Sequence, residues 1–577
     1  MVRVARTVYA VLEETAAARP EKLALHQPLG GGKYRTWTWR QYCDQVAQIA
    51  TGMRALGLQK GDMVALQSET RAEFYLADLA VMASGAVAAA LYTSLPYADQ
   101  ARTLRASDAR VVFVENVKAM RALETAAEGA LEVRWILLEG ESEGLLTLEQ
   151  VRSLGEQKLR DDPEAFERIR AGFDDSAAAV LYMTSGATGE PKMGLVTHRA
   201  LVSNLDMAPA VLPLTPDDAT IAFLPSAHIA QRVVVELLPV RQGFSVWFSE
   251  SLAKLPAELR SIRPTFFLAP PRVWERVYST VSTEIRKRPA AVRRLFYLAL
   301  GAGSEATRRR QQGKPIPAWM QTSLRLFDRL VFAKIRERLG GRIRIAASGA
   351  APLGKDLAEF YAAIGMPLIE GYGLTEGGVA ALNPLDRPKP GSIGKLLPGV
   401  EARIEADGEL LLRSPCLFSG YYKDPDATAA VLRDGWLATG DIAEFDADGY
   451  LYITGRKKEL IVSSNGKKIY PARIENLFKR EPSISQVLLI GDRMPYVAAL
   501  FTVNGAVAEA QTAIERAVKI VNKQLAPFEQ IRKFKILERD FSIEQGELTP
   551  TMKIRRNRVL ENHRTLVSEM YMGRDVE

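Results

Sequence analysis

From Ile343 to Gly373 the chain reads IRIAASGAAPLGKDLAEFYAAIGMPLIEGYG, and its apolar period changes twice. Side chains alternate at Ile343, Ile345 and Ala347. A helical face of Leu353, Leu357, Phe360, Tyr361 and Ile364 follows, and the extended segment MPLIEGYG closes the unit. Two strands joined through a helix pair in parallel, so the chain reads as mixed α/β. Gly365 stands where a helix ends in the left-handed region, and Pro352 where a helix start tolerates a missing amide.

With 577 residues, the chain is too long for one ordinary core, and a large domain with a smaller one is expected. No repeat of fixed period favours a solenoid. After Asp441 the texture turns to EFDADGYLYITGRKKELIVSSNGKK, rich in turns and charge, where a hinge belongs. Apolar strands at VLLIG and VAALFTV and a helical run near 506–525 then suffice for a small α+β domain, dividing the chain into 1–455 and 456–577.

The two cysteines, Cys43 and Cys416, form no cluster and suit a reducing cytoplasm. The opening MVRVARTVYAVLEETAAARPEK lacks the apolar core of a signal peptide. The run from Leu79 to Tyr92 is shorter than the roughly 20 residues a membrane helix needs, so it reads as buried core. The net charge of +8 is local: residues 284–342 hold fifteen Lys/Arg against four Asp/Glu. A solvated face is the favoured reading of this stretch, with peripheral contact of residues 286–310 with anionic lipid as the alternative. No aromatic interleaving or binding module points to nucleic acid. A homodimer stays open.

The first chemical signal is TSGATGEPK, from Thr184 to Lys192, between the apolar strand AAAVLYM and a helical pattern after His198. Glycines Gly186 and Gly189 permit close backbone approach, while Thr184, Ser185 and Thr188 can donate to a phosphate. A P-loop is excluded, because Met193 stands where Ser or Thr must follow the lysine. A flexible surface turn is the plain alternative.

Further blocks follow in order: FLPSAHIAQRV around His228, RIAASGAAPL around Gly349, EGYGLTE from Glu370 to Glu376, and WLATGD ending at Asp441. YITGRKKELIVSSNGKKIYP and GELTPTMKIRR complete the series. With these, the chain resembles the adenylate-forming (AMP-binding) superfamily from about Thr7 to Leu566. Within it the chain is similar to long-chain and bubblegum-type fatty acyl-CoA synthetases. Ala187 and Met193 depart from the family's loop, with Gly194 one step on as a substitute source of flexibility. Gln231 stands where long-chain enzymes commonly carry an acid.

The resemblance implies a large N-terminal domain of several subdomains, with mixed sheets flanked by helices, and a mobile C-terminal one. It implies ATP, Mg2+ and coenzyme A as co-substrates and cofactor, a fatty acid as the acyl donor, and acyl-AMP as the intermediate. Glu376 and Thr184 would hold Mg2+, and Thr375 the α-phosphate. Lys192 belongs to the phosphate loop, Tyr372 and Gly373 flank the adenine, and Gly349, Ala350 and Ala351 leave it room. Asp441 and Arg456 would hold the ribose. Lys553 would bridge carboxylate and phosphate as charge develops. His228 would orient the incoming carboxylate or steer it with positive charge, a satisfied core histidine being the alternative. Lys458 would be the hinge, and Gly466 and Lys467 would meet coenzyme A after the small domain rotates.

An acyl tunnel would be lined from residues 226–269 and 346–374; FLPSAHIAQ lacks the acid that an amino-acid substrate needs. The competing functions are an acyl-AMP ligase loading a carrier protein, a luciferase-type oxygenase, and a non-catalytic acyl-nucleotide binder.

Overall fold

The structure is a computed structural model, and it describes residues 6–185 and 191–571. Its largest sheet has eight strands. The central ones, Ala178–Ser185, Val87–Ala90, Met63–Gln67, Val111–Val114 and Arg134–Leu137, are parallel. Val64, Leu66, Ala88, Val112, Val114 and Leu181 are buried from both faces, as helix-covered parallel strands require. One cover is the helix pair Trp39–Ala55 and Leu148–Asp161. Gly155 meets the Gln48 carbonyl and Gly52 that of Val151 so closely that a β-carbon at either would overlap it.

Strand Ala178–Ser185 pairs antiparallel with Pro191–Thr197, so the phosphate-loop segment joins two neighbouring strands at one end of the sheet. Gly194 lies inside the second strand, where a β-carbon would make ordinary contact with Phe418 and Thr375. The expectation that it supplies loop flexibility is not met.

The strand–helix–strand unit forms as expected. Strand Ile345–Ser348 pairs parallel with Leu368–Leu374 across helix Lys355–Ala363, and Gly365 adopts φ +74°. Pro352 does not start that helix, which begins three residues later. Its lone carbonyl instead accepts a hydrogen bond from Lys479 Nζ at 2.8 Å. The next strand, Gly378–Leu382, turns back antiparallel.

A further sheet joins Trp436–Phe445 to Leu451–Arg456, with Asp441 opposite Arg456. The strand thus ends at Arg456 itself, and the chain leaves through a short turn, Lys457–Glu459. Beyond it, Ile484–Ile490, Val497–Val503 and Ile531–Ile536 form a three-stranded sheet backed by helix Val507–Asn522. Ile474, Phe478, Leu489, Phe501 and Ile514 give this smaller unit its own core. It touches the large unit through Lys479, which also pairs with Glu275 at 3.0 Å, and through Arg272, which donates to the Ser485 carbonyl. Both cysteines are buried free thiols.

Candidate active site

A cavity of about 2010 Å3 opens between the large unit and the small one. Lys192, His228, Gly349, Ala350, Tyr372, Gly373, Thr375, Glu376, Arg456 and Lys458 line it from one side and Lys553 from the other. Sequence blocks more than 300 residues apart therefore share one solvent space.

Glu376 lies in the turn between strand Leu368–Leu374 and strand Gly378–Leu382. Its Oε1 accepts a hydrogen bond from Tyr421 Oη at 2.7 Å, and the ring of Tyr421 lies 4.7 Å from Lys192 Nζ. Tyr421 thus stands between the expected metal ligand and the loop lysine, aligning one and holding the other by its π face. Beside them Ala350 adopts φ +70°, a left-handed conformation that costs an alanine energy and is held by its surroundings.

Asp441 is 2 % exposed. It accepts from Tyr372 Oη at 2.5 Å and from Arg456 Nε at 2.8 Å. The three expected nucleoside ligands therefore form one hydrogen-bonded group. Asp441 itself does not line the cavity, so a ribose hydroxyl would have to reach its remaining lone pairs.

Lys553 sits on a tight turn closed by Thr549, whose hydroxyl accepts from the Lys553 amide at 3.0 Å and whose amide donates to the Lys553 carbonyl at 2.8 Å. Met552 before it adopts φ +64°. The ammonium reaches water through the cavity while protein surrounds it. That enclosure, and the charge of Arg456, draw its pKa below the ordinary value, against the opposite pull of Asp441, Glu459 and Glu376.

His228 faces the same space. Its Nδ1 accepts from the Ala230 amide at 3.2 Å, leaving the ring proton on Nε2. Burial, reinforced by Lys553, lowers its pKa to about 3. The ring is therefore neutral at physiological pH, which removes the expected steering charge and leaves Nε2–H available to donate.

An apolar branch of the cavity runs between helix His198–Val211, the π-helix Gln231–Leu237 and strand Phe266–Ala269. Leu205, Ala208, Val211, Val233, Val234 and Leu268 line it. Helix His198–Val211 forms where the pattern after His198 implies one, but its part in lining the branch was not foreseen, although 205, 208 and 212 have the spacing of one helical face. The π-helix turns Val233 and Val234 to the cavity and Gln231, Arg232 and Glu236 into the core. Gln231 donates to Tyr75 Oη at 2.9 Å and is a core residue.

Some expected residues lie elsewhere. Gly186, Thr188 and Gly189 fall outside the described residues, as do the side chains of Thr184 and Ser185. Ala351 does not line the cavity. Gly466 and Lys467 are exposed on the small unit, away from the cavity in this orientation. Tyr421, Glu459 and Lys479 were missed, since no sequence signal marks a residue that acts by bracing another.

Among the described residues no group of three or more His, Cys, Asp or Glu side chains could hold a metal alone. Glu376 in the cavity wall instead fits a hard ion such as Mg2+, which takes one or two carboxylates and completes its shell with water and substrate phosphates.

The chain belongs to the AMP-binding enzyme family: the family's sequence model matches residues 12–422, and that of the AMP-binding enzyme C-terminal domain matches residues 458–575. It is 34% identical over 574 residues to the long-chain-fatty-acid–CoA ligase FadD15 of Mycobacterium tuberculosis, covering 95% of this chain and 94% of that one. It is 28% identical over 626 residues to the long-chain-fatty-acid–CoA ligase ACSBG2 of Xenopus laevis, covering 98% of this chain and 84% of the relative. The fold matches the anthranilate CoA ligase AuaEII with anthranoyl-AMP, with a TM-score of 0.76 at 19% identity over 98% of this chain and 99% of that one.

Proposed function

We propose that this chain is an AMP-forming fatty acid–CoA ligase that activates long-chain acids. The acid's carboxylate oxygen attacks the α-phosphorus of ATP, forming the mixed anhydride as the bond to pyrophosphate breaks. The thiol of coenzyme A then attacks the carbonyl carbon, AMP leaves and the thiol proton passes to solvent. The observation that carries the reading is one cavity bearing both a polar end, with Lys553, Glu376 and Thr375, and an apolar branch for the chain.

Lys553 meets the two approaching anions as charge builds on phosphorus, where a fixed cation in a poorly solvated site lowers the barrier most. Thr375 donates to the α-phosphate and His228 donates Nε2–H to the entering carboxylate. Glu376 and Thr184 would hold Mg2+, which would supply the positive charge that pyrophosphate needs as a leaving group. Loop residues Ser185, Gly186, Thr188, Gly189 and Lys192 cradle the phosphates, with Gly349, Ala350, Tyr372 and Gly373 around the base and Asp441 with Arg456 at the ribose. Rotation about Lys458 withdraws Lys553 and turns Gly466 and Lys467 inward for the second step, residues 1–455 and 456–577 moving as two bodies. The same reading includes peripheral contact of the basic 286–310 stretch with membranes; among the described residues no helix is long and apolar enough to cross one.

The test is Lys553→Ala, assayed by fatty-acid-dependent pyrophosphate release and by conversion of a preformed acyl-adenylate with coenzyme A. Adenylation falls by about two to three orders of magnitude, the scale at which an electrostatic stabiliser acts, and thioester formation persists. Equal loss of both steps would overturn the role.

A further inference from the structure

The turn that carries Lys553 is not held by local bonds alone. Met552, next to it, lies in the left-handed region at φ +64°, a conformation that a residue with a β-carbon keeps only where its surroundings impose it. Residues 547–555 run as two short arms: the Arg555 amide donates to the Glu547 carbonyl at 2.7 Å, and Leu548 bridges to Ile554. Thr549 closes the arms at the Lys553 end. Glu547 therefore stands at the base of a hairpin whose tip bears the lysine.

The side chain of Glu547 is fully buried, and the residues beside it, Gly546 and Leu548 to Thr551, offer it no charge. Its partners come from either side of the hairpin. Arg539 takes both oxygens, donating from Nη1 to Oε2 at 2.6 Å and from Nη2 to Oε1 at 2.8 Å. Asn562 Nδ2 and His563 Nε2, at the junction of helix Arg556–Asn562 with helix Arg564–Tyr571, each lie 3.1 Å from Oε1. The Ser542 amide donates to Oε2 at 3.3 Å. Burial by itself would push this carboxyl up, but Arg539 and Asn562 outweigh it and hold the pKa at about 2. Leu548, Phe541 and Val559 share one apolar cluster. The hairpin, the segment before it and the terminal helices thus meet around a single carboxylate.

We infer that Glu547 is a positioning residue for Lys553: its carboxylate, clamped between Arg539 and the terminal helices, fixes the hairpin base and with it the place of the ammonium in the cavity. The charges that bear most on that ammonium are Arg456, Asp441, Glu459 and Glu376, so Glu547 acts through the backbone. A cation that stabilises charge developing at one atom is effective only while it is held to a fraction of an ångström. An ion pair that merely stabilised the small unit would serve both half-reactions alike, whereas a clamp that aims Lys553 serves adenylation alone. The catalytic consequence rests on the ligase reading; the fixing of the hairpin does not.

Two full-length variants are compared with the wild type. Glu547→Gln keeps the shape and removes the charge, and Arg539→Met removes a half-exposed partner, so that one of them folds even if the other does not. Amide hydrogen exchange is followed without substrate, and the two half-reactions are assayed separately. Exchange across 548–555 rises about tenfold or more in either variant, as loss of a charge-assisted hydrogen bond dictates, while strand Val497–Val503 keeps its protection. In Glu547→Gln the kcat of adenylation falls about a hundredfold, KM for ATP and acid is unchanged, and preformed acyl-adenylate is converted at the wild-type rate. Equal loss of both half-reactions, or exchange rising as much in Val497–Val503 as in the hairpin, would overturn the inference and make Glu547 a general stabiliser. Wild-type exchange across 548–555, or faster exchange with adenylation intact, would overturn it too. A wild type without acid-dependent pyrophosphate release would sink the ligase reading alone, and the exchange comparison would still decide whether Glu547 holds the hairpin.

Discussion

Glu370 opens the EGYGLTE block yet faces away from the cavity that Glu376 faces. Its Oε1 accepts from the Leu353 amide at 2.9 Å, fastening the end of one strand's loop to the next strand. Burial raises its pKa from 4.5 to about 7, against the contrary effect of that amide and of Lys479. A carboxyl whose folded value is raised favours the folded state below its unfolded value and loses that contribution as pH climbs through the folded one. The urea midpoint therefore carries a component that declines from pH 4.5 to about 7. Glu370→Gln removes it, leaving a midpoint flatter across that window; an unchanged slope would show that Glu370 is not its source. Two glutamates six residues apart thus have opposite duties, and only the fold tells them apart.

At the scale of an element, the π-helix Gln231–Leu237 does two jobs with one wide turn. One side walls the apolar branch, and the other drives Arg232 into the core, where its Nη2 meets Asp78 Oδ1 at 2.5 Å with both side chains fully buried. Burial raises the pKa of Asp78 and of Glu236, and the charge of Arg232 opposes this at both. Removing one partner of such a pair strands the other charge, at a cost of about 3–5 kcal/mol. Asp78→Ala should therefore lower stability by that amount in urea unfolding, and Asp78→Asn by less, because an amide oxygen can still accept from the guanidinium. Equal, small losses would mean that water satisfies Arg232. This cluster was illegible in the sequence: Arg232 stands beside Gln231 in a block that reads as substrate site, and the extra residue of a π turn leaves no mark on apolar spacing.

For the whole molecule, under the proposed rotation about Lys458 the orientation of the small unit would decide which step proceeds. Lys479 fastens this orientation by its hydrogen bond to the Pro352 carbonyl and its pair with Glu275. A partly exposed pair of this kind is worth up to about 1 kcal/mol. Lys479→Ala should shift the population away from this arrangement and slow adenylation about fivefold or less, with conversion of preformed acyl-adenylate unchanged or faster. Slowing of both steps alike would assign Lys479 to general stability. Lys479 acts at a distance from every motif, and its partners come from segments over 100 residues away in sequence.

Local pattern was enough to read the mixed α/β class, the strand–helix–strand unit and the small α+β unit, because periodicity and turn residues express themselves over a few neighbours. The blocks around Lys192, His228, Glu376, Arg456 and Lys553 were legible for the same reason, being short strings whose chemistry is written in residue type. Tertiary structure alone decided that these strings face one cavity, that His228 is neutral, and that Asp441 is enclosed by Tyr372 and Arg456. Each depends on which surfaces, brought together from distant parts of the chain, exclude water, and burial of that kind has no local signature.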